Sequence, residues 1–144
     1  MNSEIIPSEN AVRRCWMLVD DNQEILSLLG DMVANLFQAE VAAYDSPVAA
    51  LAAFRASPER FQWVVTDLEM PRMNGFELCA QLRAARPGIK VLLATGSHEV
   101  TAQEAAQRGF SGMLTKPFSF ATLRREIGGL REAEPVLNGG PARI

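Results

Sequence analysis

The chain has 144 residues, 48% of them hydrophobic, with 17 acidic and 14 basic side chains and a net charge of −3. That is one domain of ordinary size with apolar material for a full core, which excludes extensive intrinsic disorder. The acidic balance offers no basic stripe to displace the counterions of a nucleic acid, and no apolar run is long enough to cross a bilayer, so neither is an expected partner.

In chain order, residues 1–13 read as a polar N-terminal extension without the apolar stretch of a secretory signal. Five short apolar runs follow, at Cys15–Val19, Glu40–Tyr44, 63–66, 90–94 and Gly112–Thr115. Four are close to continuously apolar, as expected of parallel strands covered on both faces. The Ala-rich run Glu40–Tyr44 suits a sheet edge. Ile25, Leu28, Leu29, Met32 and Leu36 recur at helical spacing and predict a first helix with one buried stripe. Pro47, just after Asp45-Ser46, is a helix start ahead of Val48, Leu51 and Ala52. Phe76, Cys79 and Leu82 follow Gly75 on a third helix, closed by Pro87-Gly88. An Ala-rich helix is expected over 99–108, ended by Gly109. Leu123, Ile127 and Leu130 mark the last. Residues 132–144 have no period and read as a flexible tail, which leaves 14–131 as the folded domain.

Strand and helix thus alternate five times. Right-handed crossovers then give a parallel sheet with helices on both faces. The expected fold is α/β, a flavodoxin-like doubly wound sheet with strand order 2-1-3-4-5.

In such a sheet all strands end at one edge, where ligands bind. The first strand ends in Asp20-Asp21, the third in Asp67 and the fourth in Thr95, while the fifth runs into Lys116. Carboxylates about 4 Å apart repel by roughly 4 kcal/mol per pair at an effective dielectric near 20, so some are protonated or a cation sits among them. An all-oxygen set selects a hard divalent ion such as Mg2+. A carboxylate beside such an ion can attack phosphorus to form an acyl phosphate. Lys116 can neutralise the phosphoryl oxygens and Thr95 can hydrogen-bond one of them. Each residue also has a plainer role: Asp20 as a helix cap, Asp67 as a turn residue, Thr95 as a strand end, Lys116 as a solvated lysine. Only the five together argue for chemistry. His98 is the one histidine and reads as an exposed loop residue. Trp16 and Trp63 read as core, and Cys15 and Cys79 as separate buried thiols in a reducing cytoplasm.

These residues resemble the receiver domain of two-component response regulators. The matching segments are Leu18-Val19-Asp20-Asp21-Asn22, Val65-Thr66-Asp67-Leu68-Glu69-Met70-Pro71 with Asn74-Gly75, Leu93-Ala94-Thr95-Gly96, and Leu114-Thr115-Lys116-Pro117-Phe118. The resemblance implies that Asp67 is the phosphoacceptor. It makes Asp20 and Asp21 the metal-binding acidic pair, with the backbone carbonyl of Glu69 as the remaining protein ligand to Mg2+. Thr95 and Lys116 would sense the phosphoryl group, and Lys116-Pro117 would carry a cis peptide, which X-Pro bonds in tight turns allow.

The family usually places Tyr or Phe three residues before the lysine; here that switch position is Met113, an unbranched side chain that fits exposed or buried positions with little contrast. Gly96 follows Thr95, where a small residue gives a phosphodonor room. The implied donor is a histidine kinase or histidine phosphotransfer protein, and the output is a downstream partner bound on the face of the fourth helix, fifth strand and fifth helix. A phosphorylation-dependent dimer stays open. The expected protein is a cytoplasmic switch with no enzymatic activity beyond self-phosphorylation from a phosphodonor and slow autodephosphorylation.

Met1 and the trailing tail suit a stand-alone regulator. The alternative is the C-terminal receiver of a hybrid histidine kinase. A pure interaction module would not need the complete acceptor set. A small Mg2+-dependent phosphatase with an Asp nucleophile is a further rival, because Glu69 stands two residues after Asp67, where haloacid-dehalogenase-like enzymes keep their acid/base; the chain has no cap domain.

Overall fold

The computed structural model describes residues 15–132. Strands β1 (Cys15–Val19), β2 (Glu40–Tyr44), β3 (Phe61–Asp67), β4 (Lys90–Thr95) and β5 (Gly112–Thr115) form one sheet in the order β2-β1-β3-β4-β5. Every adjacent pair is parallel. Helices α1 (Gln23–Phe37), α2 (Pro47–Ala56), α3 (Gly75–Ala85), α4 (Ala102–Gln107) and α5 (Phe120–Glu132) connect or follow the strands, with a 3-10 turn at Pro58–Arg60. This is the expected flavodoxin-like fold, with β2 at the sheet edge.

Two cores flank the sheet, and β1 feeds both by alternation. Cys15, Met17 and Val19 join Ala50, Phe54, Leu78 and Leu82 from α2 and α3, while Trp16 and Leu18 join Leu29, Val33, Leu123 and Ile127 from α1 and α5. A strand buried on both faces must be apolar at every position, which is why β1 lacks polar alternation. Trp16 stacks on Trp63 and Phe37, with ring centroids 5.5 and 5.1 Å apart. Both cysteines are buried without a disulfide, and burial pushes the Cys79 thiol up to about 11.

Several local details differ from the sequence reading. β3 extends to Phe61 and Asp67, and β4 to Thr95, because Asp67 still pairs with Ala94 and Thr95 with Thr115. The buried stripe of α1 is Leu26, Leu29, Met32 and Val33, whereas Leu28 is exposed. The helix carries two overlapping apolar stripes sharing Leu29 and Met32, and the sheet takes the one with Val33. In α2, Val48 and Ala52 are exposed, while Pro47, Ala50, Leu51 and Phe54 face inward. Helix α4 is shorter than 99–108, because Thr101 caps it by accepting from Glu104 N at 3.0 Å. Helix α5 reaches Glu132. The rest of the expected tail, the extension 1–13, Arg14 and the Leu130 side chain lie outside the described residues. Among the described residues, no helix is long and apolar enough to cross a membrane.

Candidate functional site

Each candidate side chain is placed by a strand end. The Asp20 N–H donates to Tyr44 O at 3.1 Å, so the β1 ladder carries one residue past the strand. Its Oδ1 then accepts from Asn22 N at 2.9 Å, and the Asn22 side chain caps α1 by accepting from Glu24 N and Ile25 N. The cap of α1 is thus Asn22, which leaves the buried Asp20 carboxylate to the site. Asp21 is exposed beside it.

Asp67 closes β3, and its Oδ1 accepts from Leu68 N at 2.8 Å. Thr95 closes β4 and is buried; its Oγ1 accepts from Ser97 N at 3.0 Å, and its carbonyl accepts from Lys116 N at 2.8 Å. Lys116 follows β5 and precedes the cis Lys116–Pro117 bond.

The Lys116 ammonium reaches across the sheet edge. Its Nζ lies 2.7 Å from Asp20 Oδ2 and 3.2 Å from Asp67 Oδ1. One carboxylate oxygen from each of Asp20, Asp21 and Asp67 falls within 4.8 Å of the others, a grouping that could hold a metal ion. Burial, and then the charge of Asp20, raise the Asp67 pKa, against the lowering effects of Lys116 and the Leu68 N–H. Burial acts to lower that of Lys116, but its hydrogen bond to Asp20 and the two carboxylate charges raise it overall. Three carboxylates against one ammonium leave the cluster anionic, and its donors are all hard oxygens, which suits Mg2+.

An open cleft beside Asp67 is lined by Asp67, Glu69, Thr95, Gly96, Ser97, His98, Glu99 and Lys116. Glu69 and His98 are exposed on it. A Cβ built on Gly96 would come no nearer than 4.0 Å to Lys116 Cβ, so the position is roomy. Met113 is half-buried against the core on the α2–α3 face, as is Val100.

The strand ends do not by themselves point to three further participants. Toward the site, Asn22 and Ser97 act through their backbone N–H groups, on Asp20 Oδ1 and Thr95 Oγ1, which carry no side-chain signal. For Gly75 a signal lies in its neighbours: Asn74 and Glu77 have capping-box spacing and form that box around the start of α3.

With this geometry in hand, a protein-family model described as the response regulator receiver domain matches residues 17–128. The chain belongs to the receiver-domain family. A response regulator receiver protein of Anaeromyxobacter sp. (strain Fw109-5) is 35% identical over 105 residues, which cover 72% of this chain and 43% of that protein. The virulence sensor protein BvgS of Bordetella bronchiseptica is 33% identical over 133 residues, covering 87% of this chain and 10% of BvgS. The receiver domain here therefore spans less than half the length of these relatives. Among solved structures, chemotaxis protein CheY4 of Vibrio cholerae superposes with a TM-score of 0.70 at 26% identity, over 85% of this chain and 100% of that one. Receiver domains of response regulators work in two-component systems with histidine kinases or phosphotransfer proteins, and are generally Mg2+-dependent.

Proposed function

We propose that this receiver domain is a phosphoacceptor switch that takes a phosphoryl group on Asp67 from a histidine kinase or histidine phosphotransfer protein, in a Mg2+-dependent reaction. The observation that carries the reading is the Lys116 ammonium bridging Asp20 and Asp67 beside Asp21, with Thr95 at the neighbouring strand end. A structural ion pair needs one carboxylate per ammonium. Here the buried Asp20 and the half-buried Asp67 share one ammonium with the exposed Asp21 beside them, an excess of negative charge that calls for a further cation.

Asp20, Asp21 and Asp67, with the Glu69 backbone carbonyl, would hold the ion. Bound there, Mg2+ supplies charge neutralisation for the carboxylates and the phosphoryl oxygens. The chain's own groups do the rest. Leu68 N–H and Lys116 hold Asp67 Oδ1, which orients Oδ2 toward phosphorus. Oδ2 forms the new O–P bond as the P–N bond of a phosphohistidine donor breaks, and the bonding electron pair returns to the imidazole nitrogen. Lys116 places positive charge where phosphoryl oxygens come to rest. The Thr95 hydroxyl accepts from Ser97 N, so its own proton is available to a phosphoryl oxygen. The domain is consumed and restored by phosphorylation and slow autodephosphorylation, so it is a signalling substrate in the cytoplasm and no turnover enzyme. Its output is partner binding.

Incubation with acetyl phosphate and Mg2+ tests this. One hydroxylamine-labile phosphoryl group should appear and be absent in Asp67→Asn. Labelling that persists in Asp67→Asn overturns the assignment, and sustained turnover of p-nitrophenyl phosphate would favour a phosphatase instead. The match to one-tenth of BvgS favours a second context, a receiver within a longer sensor protein; its chemistry is the same.

A further inference from the structure

We propose that Gly75 is a positioning residue for Asp67: its missing side chain lets the start of α3 clamp the Asp67–Leu68 backbone and so set the attacking carboxylate. This rests on Asp67 being the phosphoacceptor.

The clamp is built from backbone groups. Asn74 Oδ1 accepts from Glu77 N at 2.8 Å and Glu77 Oε1 accepts from Asn74 N at 2.9 Å. These reciprocal bonds satisfy two N–H groups of the α3 start and hold it in place. The Gly75 N–H stays available and donates to Leu68 O at 2.7 Å. Leu68 in turn donates its own N–H to Asp67 Oδ1. One residue is thereby gripped at both polar backbone groups, with the helix on one side and the carboxylate on the other. Glu69 follows it directly, so the same grip sets the peptide leading to the expected carbonyl ligand.

Only glycine permits this approach. A Cβ on Gly75 would overlap the Asp67 carbonyl oxygen and lie 3.1 Å from Leu68 Cα and 3.3 Å from Asp67 C. All three neighbours are backbone atoms, so no flexible side chain can swing aside. Alanine must push the strand end and the helix start apart. Asp67 sits at the edge of its grip on Lys116, at 3.2 Å, and a misplacement of about 1 Å at a reacting group costs on the order of 100-fold in rate.

The experiment compares Gly75→Ala with Val33→Ala. Val33 is buried in the core on the opposite face of the sheet, so its truncation lowers stability without touching Asp67. Two readings are taken below the unfolding range of all proteins. They are the rate of acetyl phosphate labelling, and the Leu68 amide proton shift and exchange protection in metal-free protein. Gly75→Ala should label about 100-fold more slowly and lose the hydrogen-bonded Leu68 amide signature, with Val33→Ala near wild type in both. A wild-type Leu68 amide and labelling rate in Gly75→Ala overturns the proposal. So does an equal rate loss in Val33→Ala, which would make Gly75 merely structural. If Gly75→Ala does not fold, the Gly75 amide of metal-free wild type carries the test: it should be protected from exchange by its bond to Leu68 O, and a freely exchanging Gly75 amide overturns the proposal. Failure of wild type to label on Asp67 would refute the phosphoacceptor reading, while the metal-free amide measurement still decides the clamp.

Discussion

The two edges of the sheet use charge in opposite ways. Where β3 begins, Arg86 Nη1 donates to the carbonyls of Pro58 and Phe61 at 2.8 and 2.5 Å, and Arg83 donates to Ile89 O at 3.1 Å. Those guanidiniums satisfy the backbone of turns, so their charge holds the fold. Where β3 ends, Asp20, Asp21 and Asp67 crowd one another around Lys116. Negative charge at that edge exceeds the one cation built in beside it, which suits a cationic ligand. A polar group serves stability when its partners are built in, and function when one partner must arrive.

The sharpest way to break this contrast is Lys116→Met. It leaves the Asp20 and Asp67 carboxylates without their shared cation, and should cost about 3 kcal/mol in urea unfolding without metal. Millimolar Mg2+ should recover part of the loss. Because the Lys116 pKa is raised by its carboxylate partners, against the lowering effect of burial, its contribution is complete below the ordinary lysine value. It fades only as pH rises through the raised one. From neutrality upward, the gap between wild type and variant should therefore narrow only in alkali. A deficit that already disappears near neutrality would refute the ion-pair account.

At the other edge, Arg86→Ala should cost about 2 kcal/mol, the worth of charge-assisted bonds to two carbonyls. The acetyl phosphate labelling rate should not change. A variant that loses labelling in proportion to stability would show that the edges are not independent.

Asp67→Asn sharpens the comparison from the opposite direction, since it should stabilise the metal-free domain slightly while abolishing labelling. The Asp67 pKa is raised, first by burial and then by Asp20. The folded state therefore holds that proton more tightly, and stability falls as pH rises from the ordinary value of 3.8 through the raised one. Asparagine has no such term, so melting temperatures of variant and wild type should diverge upward through that range. Equal pH profiles would sink the argument.

The smallest effect is expected at Met113. A tyrosine there makes a larger packing contrast between exposed and buried positions, and coupling depends on such differential stabilisation of two states. Met113→Tyr should widen the gap in partner affinity between apo and beryllofluoride-bound forms, measured by calorimetry. If Gly96→Pro removes the gap while Met113→Tyr leaves it unchanged, the loop after Thr95 carries the signal.

Most of the scaffold was legible because it rests on local and periodic signals. Continuous apolar runs marked β1, β3, β4 and β5, and Pro47 and Gly75 marked two helix starts. The carboxylates and Lys116 could be assigned to one edge from strand ends alone, since all strands of a parallel sheet finish together. Helix rotation was less legible, because α1 carries two overlapping stripes and only packing against Trp16 and Trp63 selects between Leu28 and Val33.

The sequence by itself determined the family, the alternation of elements and the identity of the polar residues at the strand ends. Tertiary structure decided how those residues meet: that Lys116 bridges Asp20 and Asp67, and that Gly75 lies too close to the Asp67 carbonyl to carry a side chain. These are contacts between residues 8 to 96 positions apart, or between backbone atoms that every residue possesses. Local patterns encode periodicity and chain direction. Distances across a sheet edge exist only once the strands are paired in register.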